Sequence, residues 1–143
     1  MNNIYDETRF LMKKYDITAN KSLGQNFLID NEVIEDIVLA SEITKNDLVI
    51  EIGPGLGTLT KELLEKAYKV IAIELDTRMI QILDDRFHLY DNFQIINEDV
   101  LKVNLNKLIR RGKKQIRSHK KRENSCKFTL LYYYSNNDEI IRR

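Results

Sequence analysis

The chain lacks most of what staples, kinks or anchors a protein. Its 143 residues include one cysteine, Cys126, which excludes an internal disulfide and suits a reducing compartment. The N-terminal MNNIYDETRFLMKKYD carries charges where a secretory leader needs an apolar core. No apolar run nears the ~18 residues that cross a bilayer. A soluble, cytoplasmic and monomeric protein with no membrane partner and no metal is the expectation. Proline is almost absent too, and no repeat or low-complexity segment precedes residue 110.

Charge is present in quantity and is unevenly placed. The net charge is only +1, yet residues 1–109 hold 12 basic against 19 acidic side chains, a balance of −7. Residues 110–143 hold 11 against 3, a balance of +8. An asymmetry of this size between two parts of one chain requires an explanation.

The sole proline and three of the five glycines fall in one stretch, residues 48–60, LVIEIGPGLGTLT. Apolar Leu48, Ile50 and Ile52 alternate along a strand that carries Glu51. The chain then breaks at Gly53-Pro54-Gly55-Leu56-Gly57, and Leu59, Leu63 and Leu64 follow at helical spacing. Strand, glycine turn and helix open a nucleotide-binding βαβ unit.

Around it the pattern predicts a helix over 5–15 with Ile4, Phe10, Leu11 and Tyr15 at loosely helical spacing. A polar loop over 18–30 follows, with Leu23, Phe27 and Leu28 as buried candidates. Asp30 caps a second helix with Val33, Ile34, Ile37, Val38 and Ser41 on one face. Residues 69–75, KVIAIEL, read as a second strand. Asp76 or Thr77 caps a helix with Met79, Ile80, Leu83 and Phe87 inward, and residues 93–97 form a third strand. Alternating strands and helices imply a parallel sheet with right-handed crossovers.

Ligands of such sheets bind beyond the carboxyl ends of the strands, and Gly53, Glu74 and Asp99 fall at three of those ends. Singly, each has a plain structural use: a tight turn, a helix cap, a loop anion. Together they make a site. Glu74 lies 21 residues after Gly53, which suits a carboxylate accepting from both ribose hydroxyls. The dinucleotide fingerprint needs a sixth-position glycine, where this chain has Thr58. Glu51 would also repel a pyrophosphate at the helix N-terminus. G-x-G-x-G with a nearby carboxylate favours a ligand carrying positive charge, such as the sulfonium and ammonium of S-adenosylmethionine, over a dinucleotide. Asp99 then has the adenine amino group to accept from.

Four segments, SLGQNFL at 22–28, EIGPGLG at 51–57, IELD at 73–76 and NEDV at 97–100, closely resemble the KsgA-type ribosomal RNA adenine dimethyltransferases. The resemblance covers roughly residues 8–109. Erythromycin-resistance methyltransferases of the large ribosomal subunit share parts of it, while KSLGQNFL and the uninterrupted EIGPGLGTLT favour the small-subunit enzymes. The resemblance implies a Rossmann-like class I S-adenosylmethionine-dependent methyltransferase of α/β fold. Asn26 and Leu28 would cover the methionine part of the donor. Gly53 would line it through its backbone, Glu74 would bind the ribose and Asp99 the adenine. The implied partner is the small-subunit rRNA of the 30S particle, where two adjacent adenosines near the 3′ end become N6,N6-dimethyladenosine.

The family's acceptor motif, Asn-Leu-Pro-Tyr or Asn-Leu-Pro-Phe after strand four, is absent, since the only proline is Pro54. In its place come RRGKKQIRSHKKR at 110–122 and LLYYYSNNDEIIRR at 130–143. The run shows no apolar period of a folded element. Basic residues near tyrosines offer phosphate contacts and base stacking, so a non-catalytic RNA- or ribosome-binding protein is a competing reading. A small-molecule or nicotinamide enzyme on the same fold is another. The genetic code suggests an origin for the tail. An A-rich coding of residues 127–143, read one nucleotide later, yields NLPYYIITPIMMKLLE, the missing motif followed by an amphipathic helix. Three segments are therefore expected: a helix and donor-covering loop over 1–29, a partial methyltransferase domain over 30–109, and a basic tail over 110–143. The tail is expected to be out of frame and poorly ordered, beyond a sheet of three strands.

Overall fold

Strands form where β-branched and aliphatic residues run together, and helices where apolar residues return every three or four positions. The computed structural model describes residues 3–18, 27, 30–119, 127–134 and 139–142. In chain order the elements are α1 (Ile4–Lys14), α2 (Asn31–Ser41), β1 (Leu48–Ile52), α3 (Thr58–Lys66), β2 (Lys69–Glu74), α4 (Thr77–Phe87) and β3 (Phe93–Asn97). A single 3-10 turn, Val100–Lys102, leads to α5 (Leu105–His119), β4 (Phe128–Tyr134) and β5 (Glu139–Arg142).

The sheet order is β3-β2-β1-β4-β5. The first four strands are parallel and β5 runs antiparallel to β4. Expected caps are present: Asp30 accepts from the Glu32 N–H at 2.9 Å, and Asp76 from the Arg78 N–H at 2.9 Å. Each satisfies an amide that the first helical turn leaves unpaired.

Two apolar layers sandwich the sheet. On one face Val49, Val70 and Leu131 pack with α2, α3 and α4 through Ile34, Leu63, Leu83 and Phe87. On the other, Leu48, Ile50, Ile71 and Ile73 pack against Leu105, Leu108, Ile109 and Ile116, which share one face of α5. Alternation along β1 is therefore only half of the pattern. Residues 48–51 are all buried, as in a parallel sheet covered on both faces. A third cluster of Leu11, Ile17, Leu56, Met79 and Ile82 holds α1 over the glycine turn.

Three expectations need correction. In α4 the fourth buried residue is Ile82, with Ile80 half-buried, because α4 turns its face toward α1 as well as the sheet. Phe10 is 64% exposed, while Leu11 and Thr8 take the inner face of α1. The largest departure is the tail. The boundary at 109/110 falls inside α5, which continues to His119, and the sheet gains a fourth and a fifth strand. The cations hid an apolar stripe at Leu105, Leu108, Ile109, Gly112 and Ile116, spaced as one helix face requires. Gly112 lies directly against the Leu48 side chain.

The fourth strand is held largely through its backbone. Asp47, 2% exposed, accepts from the Thr44 N–H and hydroxyl at 2.8 and 2.7 Å, and from the Lys127 N–H at 2.9 Å. The Leu48 N–H donates to the Lys127 carbonyl at 3.3 Å, which sets β4 in register from Leu48↔Phe128 to Ile52↔Tyr132.

Candidate functional site

The site lies where β1, β2 and β3 end. The Gly53 N–H donates to the Ile73 carbonyl at 2.9 Å, which turns the chain off β1 beside the end of β2. Glu74 pairs in register with Asn97, whose side-chain amide donates to the Glu74 carbonyl at 2.9 Å. The Glu98 N–H reaches the same carbonyl at 3.2 Å. Three segments far apart in sequence thus meet at one edge of the sheet.

Glu74 is 8% exposed, and its carboxylate accepts from the N–H groups of Leu75 and Asp76 at 2.8 and 2.9 Å. Its second oxygen faces the Gly55 N–H at 3.4 Å. Burial pushes the Glu74 pKa above the usual carboxylate value, while the backbone donors of Asp76, Leu75 and Gly55 pull it back. The strand-two carboxylate is therefore wired to the glycine turn.

Glu51 projects to the α3 side of the sheet and is 4% exposed. The Thr60 hydroxyl donates to it at 2.7 Å. Among the described residues no cation pairs with it. Burial raises its pKa from 4.5 to about 7, with the Thr60 bond opposing and the charge of Glu74 adding to the rise. A buried carboxylate with one hydroxyl partner, beside a cavity, is a place for a positively charged ligand.

That cavity is small, with a volume of about 40 Å³. Glu51, Gly53, Pro54, Gly55, Phe27 and Leu131 are among the residues that line it. Of the residues expected from sequence, Gly53 lines the cavity, and Glu74 stands beside it through Gly55. Asp99 is half-buried past β3, outside the cavity wall, and its carboxylate accepts from the Leu101 N–H at 2.9 Å, capping the 3-10 turn. Asn26 and Leu28 lie outside the described residues. Phe27, expected to be core, also lines the cavity and packs by Gly55. Leu131, in the segment expected to be poorly ordered, lines it as well. Among the described residues no cluster suits a metal ion, and no helix is long and apolar enough to cross a membrane.

The raised Glu51 pKa predicts a pH signature. Between about 4.5 and 7 the folded state holds a proton that the unfolded state has released, so this residue's contribution to stability falls as pH rises through that window. A shift of this size corresponds to about 3 kcal/mol, as an order of magnitude. Glu51→Gln is expected to be more stable than the parent at pH 8, with the difference vanishing near pH 4. Urea midpoints of both proteins across that range check this, and a difference independent of pH would refute it.

The Ribosomal RNA adenine dimethylase family model matches residues 17–137. Over 102 residues the chain is 55% identical to a protein from Clostridium botulinum (strain Okra / Type B1) named Ribosomal RNA small subunit methyltransferase A, covering 71% of this chain and 37% of that relative. The chain thus spans little more than a third of the length of the curated relatives it matches. A dimethyladenosine transferase from Plasmodium falciparum is similar in structure, with TM-score 0.54 and 26% identity over 75% of this chain and 43% of that one. The 23S rRNA methyltransferase ErmE superposes with TM-score 0.53 at 24% identity, over 75% of this chain and 48% of that one, a likeness of fold.

Proposed function

We infer the function from one premise: this chain belongs to the ribosomal RNA adenine dimethylase family. We propose that it carries the donor-binding part of an rRNA adenine N6,N6-dimethyltransferase, which uses S-adenosylmethionine to methylate two adjacent adenosines near the 3′ end of small-subunit rRNA. The observation that carries the reading is the buried Glu51 carboxylate, without a cationic partner among the described residues, on the wall of a cavity beside Glu74. The donor's ammonium and sulfonium fit that anion, and its ribose hydroxyls fit the Glu74 carboxylate.

In this reading Gly53 lines the donor through its backbone, Asp99 accepts from its adenine amino group, and Asn26 and Leu28 cover its methionine end. The donor, when bound, supplies an electrophilic methyl group. The protein must expose an adenine and hold its weakly nucleophilic amino nitrogen in line with that methyl. The Asn-Leu-Pro-Tyr motif that would do so is not in this sequence. We propose that residues after Ile109 are read out of frame, so that the chain binds donor and does not methylate. The setting we propose is cytoplasmic, with the 30S particle as partner and the chain monomeric.

Calorimetry with S-adenosylhomocysteine, with NAD as competitor, is expected to show binding of the first alone. Tritium transfer from labelled donor to unmethylated 30S particles is expected to stay at background, and robust dimethylation would overturn the claim of an incomplete acceptor site. Tighter binding of NAD would favour a nicotinamide enzyme. The gene's nucleotide sequence around Ile109 tests the frame: codons that do not open onto NLPY when shifted would end that idea.

A further inference from the structure

We propose that the outward face of α5 is a second binding surface, separate from the donor cavity, for the phosphate backbone of a nucleic acid. Lys107, Arg110, Arg111, Lys114 and Arg117 are all exposed. Their spacing of three and four residues places them on one stripe, about 15 Å long at 1.5 Å per residue. The stripe is opposite the apolar face that packs on Leu48 and Ile50.

Three observations select a polyanion as the occupant. No acidic residue occurs between Val100 and His119, so the helix has no counter-charge of its own. None of the five cations takes part in the ion pairs found among the described residues. Like charges three and four residues apart repel one another in the free protein, and neutralisation by phosphates relieves that repulsion while releasing condensed counterions. A lipid surface fits less well. An interfacial helix inserts its apolar face into the bilayer, and in α5 that face is already buried against the sheet, with Ile116 4% exposed. The charge is a property of the folded chain whatever reading frame produced it.

Fluorescence anisotropy of the full chain with a labelled RNA hairpin, and in parallel with duplex DNA of the same length, tests this. Binding is expected to weaken about 100-fold between about 50 mM and 200 mM salt, as three to five phosphate contacts require. Equal affinity for both nucleic acids means backbone contact alone, and preference for RNA means that 2′-hydroxyls add to it; either supports the proposal. R110Q/R111Q/K114Q/R117Q is expected to lose at least tenfold in affinity at low salt and most of the salt slope. R110K/R111K/R117K should retain both. Circular dichroism of each variant verifies that α5 is intact, which the exposed positions favour. Unchanged affinity in the glutamine variant would overturn the proposal, as would tighter binding of the parent to phosphatidylserine vesicles than to either nucleic acid. S-adenosylhomocysteine affinity should be the same in parent and variants. Failure of the donor reading would therefore appear as absent homocysteine-analogue binding with the nucleic-acid result intact.

Discussion

Glu74→Ala is expected to weaken S-adenosylhomocysteine binding by about 100-fold, read by calorimetry. A carboxylate that accepts from two ribose hydroxyls makes two charge-assisted hydrogen bonds, each of about 1.5–3 kcal/mol, and 1.4 kcal/mol is tenfold in affinity. Glu74→Gln keeps the shape and one acceptor and is expected to lose about tenfold. Glu74 also accepts from the Leu75 and Asp76 N–H groups, so the alanine variant is expected to lower the melting temperature modestly. The two effects separate cleanly, because Glu74→Gln retains an acceptor for that turn. Homocysteine-analogue affinity unchanged in both variants would exclude Glu74 from the donor site.

Gly57→Ala is expected to be among the most damaging single substitutions in the chain. Gly57 has φ +80°, and a Cβ there would stand 2.5 Å from Phe87 Cε2 and 2.8 Å from Leu83 Cδ2. Both neighbours are buried in the main core, Leu83 at 0% and Phe87 at 3%. Left-handed backbone costs about 1–2 kcal/mol for an L side chain, and overpacking about 1–3 more. Their sum, about 2–5 kcal/mol, is a large share of the 5–15 typical of a domain. Gly53 supplies the contrast. It has φ +69° with nothing within 4 Å of a Cβ, so Gly53→Ala should carry only the conformational part and narrow the cavity mouth. Urea denaturation of the pair checks this, and equal losses would refute the packing argument.

The core of the first three strands and their helices was legible because local signals agreed with one another. Asp30 and Asp76 cap helices, Gly53 turns the chain, and the ends of β1, β2 and β3 meet as a parallel sheet demands. Side-chain direction was less legible where an element has two neighbours. Ile80 and Ile82 both suit the apolar face of α4, and only contact with α1 selects Ile82. Phe10 shows the limit of composition, since an aromatic on a short terminal helix can remain in solvent. The elements over 105–119 and 127–134 were less legible for a definite reason. Their cations dominate any average over a window, yet five small or apolar residues in register suffice to seat a helix on an apolar sheet. Leu131 has the same cause: a cavity wall contributed by a strand cannot be found before the strand is.

Asp47 gives the fourth strand a further meaning. It grips the incoming segment by a main-chain N–H, and β1 grips the rest by main-chain pairing, so neither reads the identity of the side chains. The berth beside β1 thus fixes the backbone path and leaves selection to the packing of a few apolar side chains. It asks for an extended segment with apolar residues at alternate positions, as Phe128, Leu130 and Leu131 supply on the two faces. Other extended segments with that apolar pattern are expected to fill it and to leave the cavity beside Glu51 in place. Chemistry written beyond the berth can then change or vanish while the architecture before it stands.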